Sequence, residues 1–278
     1  MRFVILAGLC LLASASSVEA LPPHATPLQS LAVVSAPHRL APLADPWVDW
    51  SQLSTLAVRN NATTVLPMGY TVQLTIDTAS LIALGQMRPD CADLRVSYVG
   101  GGNDVELDRL VADGNTATTT MTFRTQAAIG LAGVDANYRL HYGNAVAGAP
   151  PASLGNVFAF YDDFQDGNAT GWTTKGTWGV VADGSNYVYR YTGGGANWAL
   201  AYAPMTGLSD IDYVAKVRAT NSPNTNWIGL AFRIQDQANF LTFYQSRDVS
   251  QFKYANIIGD NHSILNFTTF AMGGNTWY

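Results

Sequence analysis

The chain is poor in cysteine, in charge and in long apolar runs, and each shortage removes a class of protein. Of its two cysteines, Cys10 and Cys91, the first lies in an apolar N-terminal stretch with the marks of an export leader. Once that stretch is removed, Cys91 has no partner and no internal disulfide can form. Only 13% of residues are charged, with three lysines (Lys175, Lys216, Lys253) and one glutamate, Glu106, after residue 20. Nucleic-acid binding needs clustered Lys and Arg to neutralise phosphates, and no such cluster is present. No segment after residue 12 has the ~20 consecutive apolar residues of a membrane-spanning helix. The four histidines, His24, His38, His141 and His262, show no zinc-ligand spacing. A Gly-x-Ser-x-Gly elbow and a phosphate-binding glycine loop are also missing.

What is present begins with the leader. Arg2, the apolar run Phe3 to Leu12 and the small residues before Ala20 form its three parts, with cleavage expected after Ala20 or, nearly as well, after Ala15. Residues 21–46 carry six prolines without a sustained period and read as an extended linker. From Trp47 the period becomes two: Val72, Leu74 and Ile76 alternate with Thr71, Gln73 and Thr75, and Leu94, Val96 and Tyr98 follow suit. One short helix is expected over 79–86. Residues 47–150 thus form one β-sandwich module.

The stretch from Tyr138 to Phe164 is a junction. A strand around Tyr138, Leu140 and Tyr142 stops at Gly143-Asn144 and Ala149-Pro150-Pro151. A second module, 157–278, opens with the run Val157 to Tyr161. Eight strands follow at roughly 8 to 12 residue spacing, over 176–181, 187–191, 198–203, 211–219, 227–235, 240–246, 251–258 and 263–271. This predicts an all-β chain of two sandwich modules, the second a jelly roll whose closing strands lie beyond Tyr278.

Two resemblances sharpen this. Leu81-Ile82-Ala83, Arg88-Pro89-Asp90, Ala92-Asp93-Leu94-Arg95-Val96, Glu106-Leu107-Asp108-Arg109 and Tyr138-Arg139-Leu140-His141-Tyr142-Gly143-Asn144 resemble the DUF2341 family of exported and surface proteins. Asp108 stands where that family usually has proline. The resemblance implies an accessory surface domain with cell-envelope or proton-channel-linked partners. Phe160-Tyr161-Asp162-Asp163-Phe164, Gly171-Trp172, Gly176-Thr177-Trp178, Gly229-Leu230-Ala231-Phe232-Arg233 and Trp277-Tyr278 resemble the concanavalin A-like jelly rolls. That resemblance implies a glycan on one sheet face and a calcium ion near the entry into the fold.

The chemistry available is thin. Glu106 and Asp108 share a strand face, as paired carboxylates of a glycanase would, but Val111 stands where a third carboxylate belongs and no second glutamate completes the pair. Asp162, Asp163 and Asp166 supply hard oxygen ligands for calcium, or else cap an Asx-rich turn. Alternation puts Leu230, Phe232, Ile234, Leu241 and Phe243 in the core. It turns Arg233, Gln235 and Tyr244 outward, and these, with Tyr254 and Tyr189, are the candidate glycan contacts. The expectation is an exported, non-catalytic carbohydrate-binding protein. An adhesive or structural surface protein and a carbohydrate hydrolase are the alternatives.

Overall fold

A computed structural model describes residues 3–6, 31–34, 46–193, 198–205, 213–219, 227–246 and 248–278. Its elements in chain order are β1 (Phe3–Leu6), β2 (Leu31–Val34), β3 (Gln52–Arg59), β4 (Thr71–Ile76), α1 (Thr78–Ala83), β5 (Arg95–Gly100), β6 (Asn103–Glu106), β7 (Leu110–Ala112), β8 (Thr119–Arg124), β9 (Val134–Tyr142) and α2 (Leu154–Val157). Then follow β10 (Thr173–Lys175), β11 (Thr177–Asp183), β12 (Asn186–Gly193), β13 (Leu200–Tyr202), β14 (Lys216–Ala219), β15 (Trp227–Asp236), β16 (Asn239–Ser246), β17 (Gln251–Ile258) and β18 (Asn261–Thr269). The fold is all-β, built from antiparallel sheets. No helix among the described residues is long and apolar enough to cross a membrane.

The chain divides into two compact units: Leu11–Tyr161, and Asp162–Tyr278 together with Met1–Cys10. In the first, a sheet of order β2-β3-β9-β5-β6 faces one of order β4-β8-β7. Leu56 and Val58, Val72 and Leu74, Leu94 and Val96, Met121 and Phe123, and Tyr138 and Leu140 meet in the core between them. Apart from Leu56 and Val58, these are the alternate positions read from the sequence, because successive strand residues point to opposite faces. Burial of one such side chain contributes about 1.5–3 kcal/mol. The helix α1, expected over 79–86, runs from Thr78 to Ala83, and the Asp77 carboxylate caps it by accepting from the Ser80 amide at 3.0 Å.

Three expectations shift. The linker contains β2, where Leu-Ala-Val-Val, free of proline, adds an edge strand to β3. The run from Val157 lies in the first unit, with Val157 closing the short helix α2 and no strand over 158–161. It is held there because the Thr71 hydroxyl donates to the Val157 carbonyl at 2.9 Å and Asp108 accepts from the Ser153 amide and from Asn156 Nδ2. The expected strand 211–219 is shorter, Lys216–Ala219: residues 213–215 are not in a strand, and 211–212 lie outside the described residues.

In the second unit, β15-β16-β17-β18 form one continuous antiparallel sheet. One face of it packs on Leu200 and Trp198 through Phe240, Ile257, Ala231 and Ile234. The other face receives Val217 and Ala219 of β14 against Ile228 and Leu230. A third cluster gathers Phe164, Trp172, Trp178 and Tyr189.

Candidate functional site

The site is built on the β15–β18 sheet, and a bulge decides which residues face where. Phe232 pairs with Leu241, and the next pairing in register is Asp236 with Asn239, so the ladder slips between them. Arg233 sits in the slip with φ of 51°, as a bulge residue in the left-handed region does. The slip breaks the alternation that placed Phe232 and Ile234 together. Ile234 joins Ala231 over the Phe240 and Ile257 cluster, while Phe232 stays on the opposite face.

The neighbouring strands are inverted relative to the sequence expectation. Tyr244 is only 2% exposed, whereas Phe243 is 40% exposed. Tyr244 enters the side occupied by Trp198, Trp227 and His262, its ring 5.5 Å from Trp198 and 5.2 Å from Trp227. Gly229 makes room for it: a Cβ there would collide with the Tyr244 backbone and Cβ at 2.6 Å. Hydrophobicity alone ranks Phe above Tyr for burial, so alternation was phased on the wrong residue. The tryptophans on the Tyr244 side, distant in sequence, set the phase instead. Desolvation raises the Tyr244 phenol above its usual range, and its hydroxyl has no hydrogen-bond partner among the described residues.

Phe232, Phe243, Tyr254 and Phe252 therefore gather on the opposite face. Phe243 lies across from Tyr254 in the ladder, their centroids 4.8 Å apart and planes 27° from parallel. Phe232 is 5.3 Å from Phe243 at 20°, and Phe252 is 6.0 Å from Phe243 at 6°. Such separations between near-parallel rings are those of offset stacking. Asn266 is the cross-strand partner of Tyr254, Thr268 that of Phe252, and Asn256 follows on the same face of β17. No charged side chain shares this face in the register from Ile228 to Phe232.

The five sequence-expected ligand residues do not converge. Arg233 and Gln235 are exposed at and beyond the bulge. Tyr254 is half-buried in the aromatic patch, and Tyr244 lies on the other side of the same sheet. Tyr189 is buried on β12 between Phe164 at 5.0 Å and Trp172 and Trp178 at 5.5 Å each. Phe232, Phe243 and Phe252 were not among the candidates. The signal that could have found them is the cross-strand alignment of three aromatics on β15, β16 and β17.

The acidic turn uses its own oxygens. Asp162 accepts from the Phe164 amide at 2.8 Å and from Trp172 Nε1 at 2.7 Å, Asp163 from the Gln165 amide, and Asp166 from the Asn168 amide and Nδ2. Desolvation is the main cause that raises the Asp162 carboxyl above its ordinary value. No group of three or more His, Cys, Asp or Glu side chains among the described residues is arranged to hold a metal. Asp210-Ile211-Asp212, which reads from the sequence more simply as a turn than as hydrolase carboxylates, lies outside the described residues.

The motif residues of the first unit are spent on its architecture. Asp93, fully buried, accepts from the Gly143 amide at 2.9 Å, the Asn144 amide at 3.2 Å and the Arg88 amide at 3.1 Å. Gly143 needs its φ of 82° to aim that amide. Glu106 pairs with Arg95 at 2.9 Å, and Asp108 serves the Ser153 and Asn156 turn, so the two carboxylates do not act as a pair. Arg109 is buried with its guanidinium on the carbonyls of Leu94 and Cys91. Burial, and then the neighbouring Arg95, bring its pKa down to about 10. His141 stacks on Trp47 at 3.7 Å and shares a 2.9 Å hydrogen bond with Ser97. Ser97 is fully buried, which denies a substrate access to that dyad.

In comparison with known proteins, the chain matches no family model, no curated protein and no solved structure.

Proposed function

We propose that the chain is an exported, non-catalytic carbohydrate-binding protein whose ligand lies on the aromatic face of the β15–β18 sheet. The first unit, in this reading, is a DUF2341-like accessory domain, and the second unit is of the concanavalin A-like kind. The observation that carries the proposal is the patch itself: four near-parallel rings, Phe243 among them 40% exposed, bordered by Asn256, Asn266 and Thr268. Sugar rings offer C–H groups that stack on aromatic rings and hydroxyls that bond to amides and hydroxyls alongside. A contiguous apolar patch left on a surface marks an interaction site. The hydrolase reading loses support because Glu106 and Asp108 are each committed to a structural partner.

An adhesive surface protein is favoured by a separate observation. The edge strand β18 is exposed throughout, with Ile264, Leu265 and Phe267 outward, and an exposed apolar edge pairs readily with another chain. Screening the full chain against a glycan array, beside Phe243→Ala and Tyr254→Ala, separates the two. Specific glycan retention that either substitution abolishes supports the carbohydrate reading. A blank array from folded protein removes it and leaves the adhesive one.

A further inference from the structure

The segment Phe3–Leu6, part of the apolar run of the leader, occupies an interior position in a sheet of the second unit. On one side Val4 and Ile5 pair with Arg190 and Tyr189 of β12. On the other, Phe3 to Leu6 pair with Ala219 to Lys216 of β14. Both pairings are antiparallel, so β12 and β14 run parallel to each other with one strand between them. β14 is bonded along its far edge to the chain end: the Val217 amide donates to the Tyr278 carbonyl at 2.9 Å, and the Tyr278 amide donates back at 3.0 Å. Among the described residues, β1 is therefore the hydrogen-bonded link between the β11–β12 hairpin and the β14 ribbon.

Removing the leader would leave two strands about 9–10 Å apart, each with an unpaired row of amides and carbonyls. Parallel neighbours at that distance cannot close on each other without sliding the whole ribbon. The walls of the opening have two characters. Tyr189, Val217 and Ala219, at one set of alternate positions, are buried. Arg190, Lys216 and Arg218 occupy the other set and are half-buried, with Arg218 paired to Asp183 at 2.7 Å and lying 4.5 Å over Trp277. Three cations beside the opening disfavour a positively charged occupant, and Phe-Val-Ile-Leu carries no charge.

We propose that the position between β12 and β14 is a strand-acceptor site for an extended, uncharged apolar peptide, and that its occupant is the chain's own Phe3–Leu6 segment. This is β-strand addition in the interior of a sheet: main-chain bonds on both edges supply the affinity and the alternate side-chain positions the register. The uncleaved chain fills the site in cis; after cleavage the site is open to the same segment in trans.

Hydrogen exchange on the full 278-residue chain and on its Ile5→Pro variant tests this, because proline removes a donor and cannot sit in an interior strand. The amides of β12 and β14 are expected to exchange at least tenfold faster in the variant, with those of β3, β5 and β9 unchanged. A chain beginning at Leu21 should show the same loss, and an N-acetylated, C-amidated synthetic peptide of residues 3–9, which carries no charge, should restore protection where its Ile5→Pro version does not. Unchanged exchange in the full-length variant overturns the proposal. So does a chain from Leu21 that is already as protected as the full chain, or one whose protection the peptide leaves unaltered.

Discussion

Two sheet faces, one in each unit, are composed in opposite ways and end in opposite environments. The outer face of β5 and β9 carries Arg95, Ser97, Arg139 and His141, a polar set that propensity would leave in water. Arg95, Ser97 and His141 are instead buried, with Trp47 stacked on His141 and the Gly148 carbonyl accepting from Arg95. The face of β15 to β17 carries Phe232, Phe243, Tyr254 and Phe252, which propensity would bury, and Phe243 is among the exposed residues. The difference lies in the flanking chain. Around the first face, Trp47 and Trp50 supply an aromatic lid and Gly148 a carbonyl acceptor, while Glu106 and Asp104 of β6 pair with Arg95 and Arg139. Over the second, β14 reaches Ile228 and Leu230 and stops short of the aromatic patch. A closed polar face is architecture, and an open aromatic face is where a ligand can be held.

The largest effect that would break this comparison is in the first unit. Asp93→Ala should destabilise it by several kcal/mol, since the buried amides of Gly143 and Asn144 are each left unsatisfied at about 1–3 kcal/mol. Phe123→Ala should cost about 3–5 kcal/mol through its cavity. Denaturant unfolding followed by near-UV circular dichroism measures both, and a loss under about 1 kcal/mol for Asp93→Ala would mean that the polar face is not structural. Phe243→Ala, by contrast, should cost under about 1 kcal/mol in stability and about tenfold in glycan retention, the equivalent of one ring contact. Tyr244→Phe sharpens the contrast: deleting a buried hydroxyl without a partner should leave the melting temperature equal or higher and glycan retention unchanged. A chelator should leave the melting temperature unaltered, because Asp162, Asp163 and Asp166 already accept from their own turn; a fall on chelation would install calcium there.

The smallest effect is at the α1 cap. Hydrogen bonds from Ser80 hold the Asp77 carboxyl below its ordinary value. A depressed folded-state value means that the unfolded chain binds the proton more readily, so the cap's contribution is complete above the ordinary aspartate value and is lost as pH falls through the depressed one. The stability gap between the protein and Asp77→Ala, read from urea midpoints, should be open at pH 7 and narrow only as pH falls below the ordinary aspartate value.

Much of the fold was legible because it rests on local alternation. Val72, Leu74, Leu94, Val96, Met121 and Phe123 fall in the core as period two requires, and a short helix begins within one residue of the expected start. The second-unit strands from β15 to β18 also lie close to their expected spans. The site was less legible for two physical reasons. A bulge at Arg233 shifts the phase of one strand and has no unique residue signature, Arg being an unusual occupant of positive φ. The burial of Tyr244 follows from Trp198 and Trp227, a long-range packing choice that neighbouring residues do not encode. Asp108 and Thr71 hold the segment 153–157 from positions far away in the chain, contacts that a local pattern does not encode.

The central claim is that one specific face of the β15–β18 sheet binds glycan, and the most direct measurement is retention of three proteins on the same immobilised polysaccharide: the unaltered chain, Phe243→Ala and Tyr244→Phe. The account predicts that Phe243→Ala is retained about tenfold less and Tyr244→Phe equally well, both remaining folded. Loss of retention in Tyr244→Phe with Phe243→Ala unaffected would contradict it, and would move the ligand to the opposite side of the sheet.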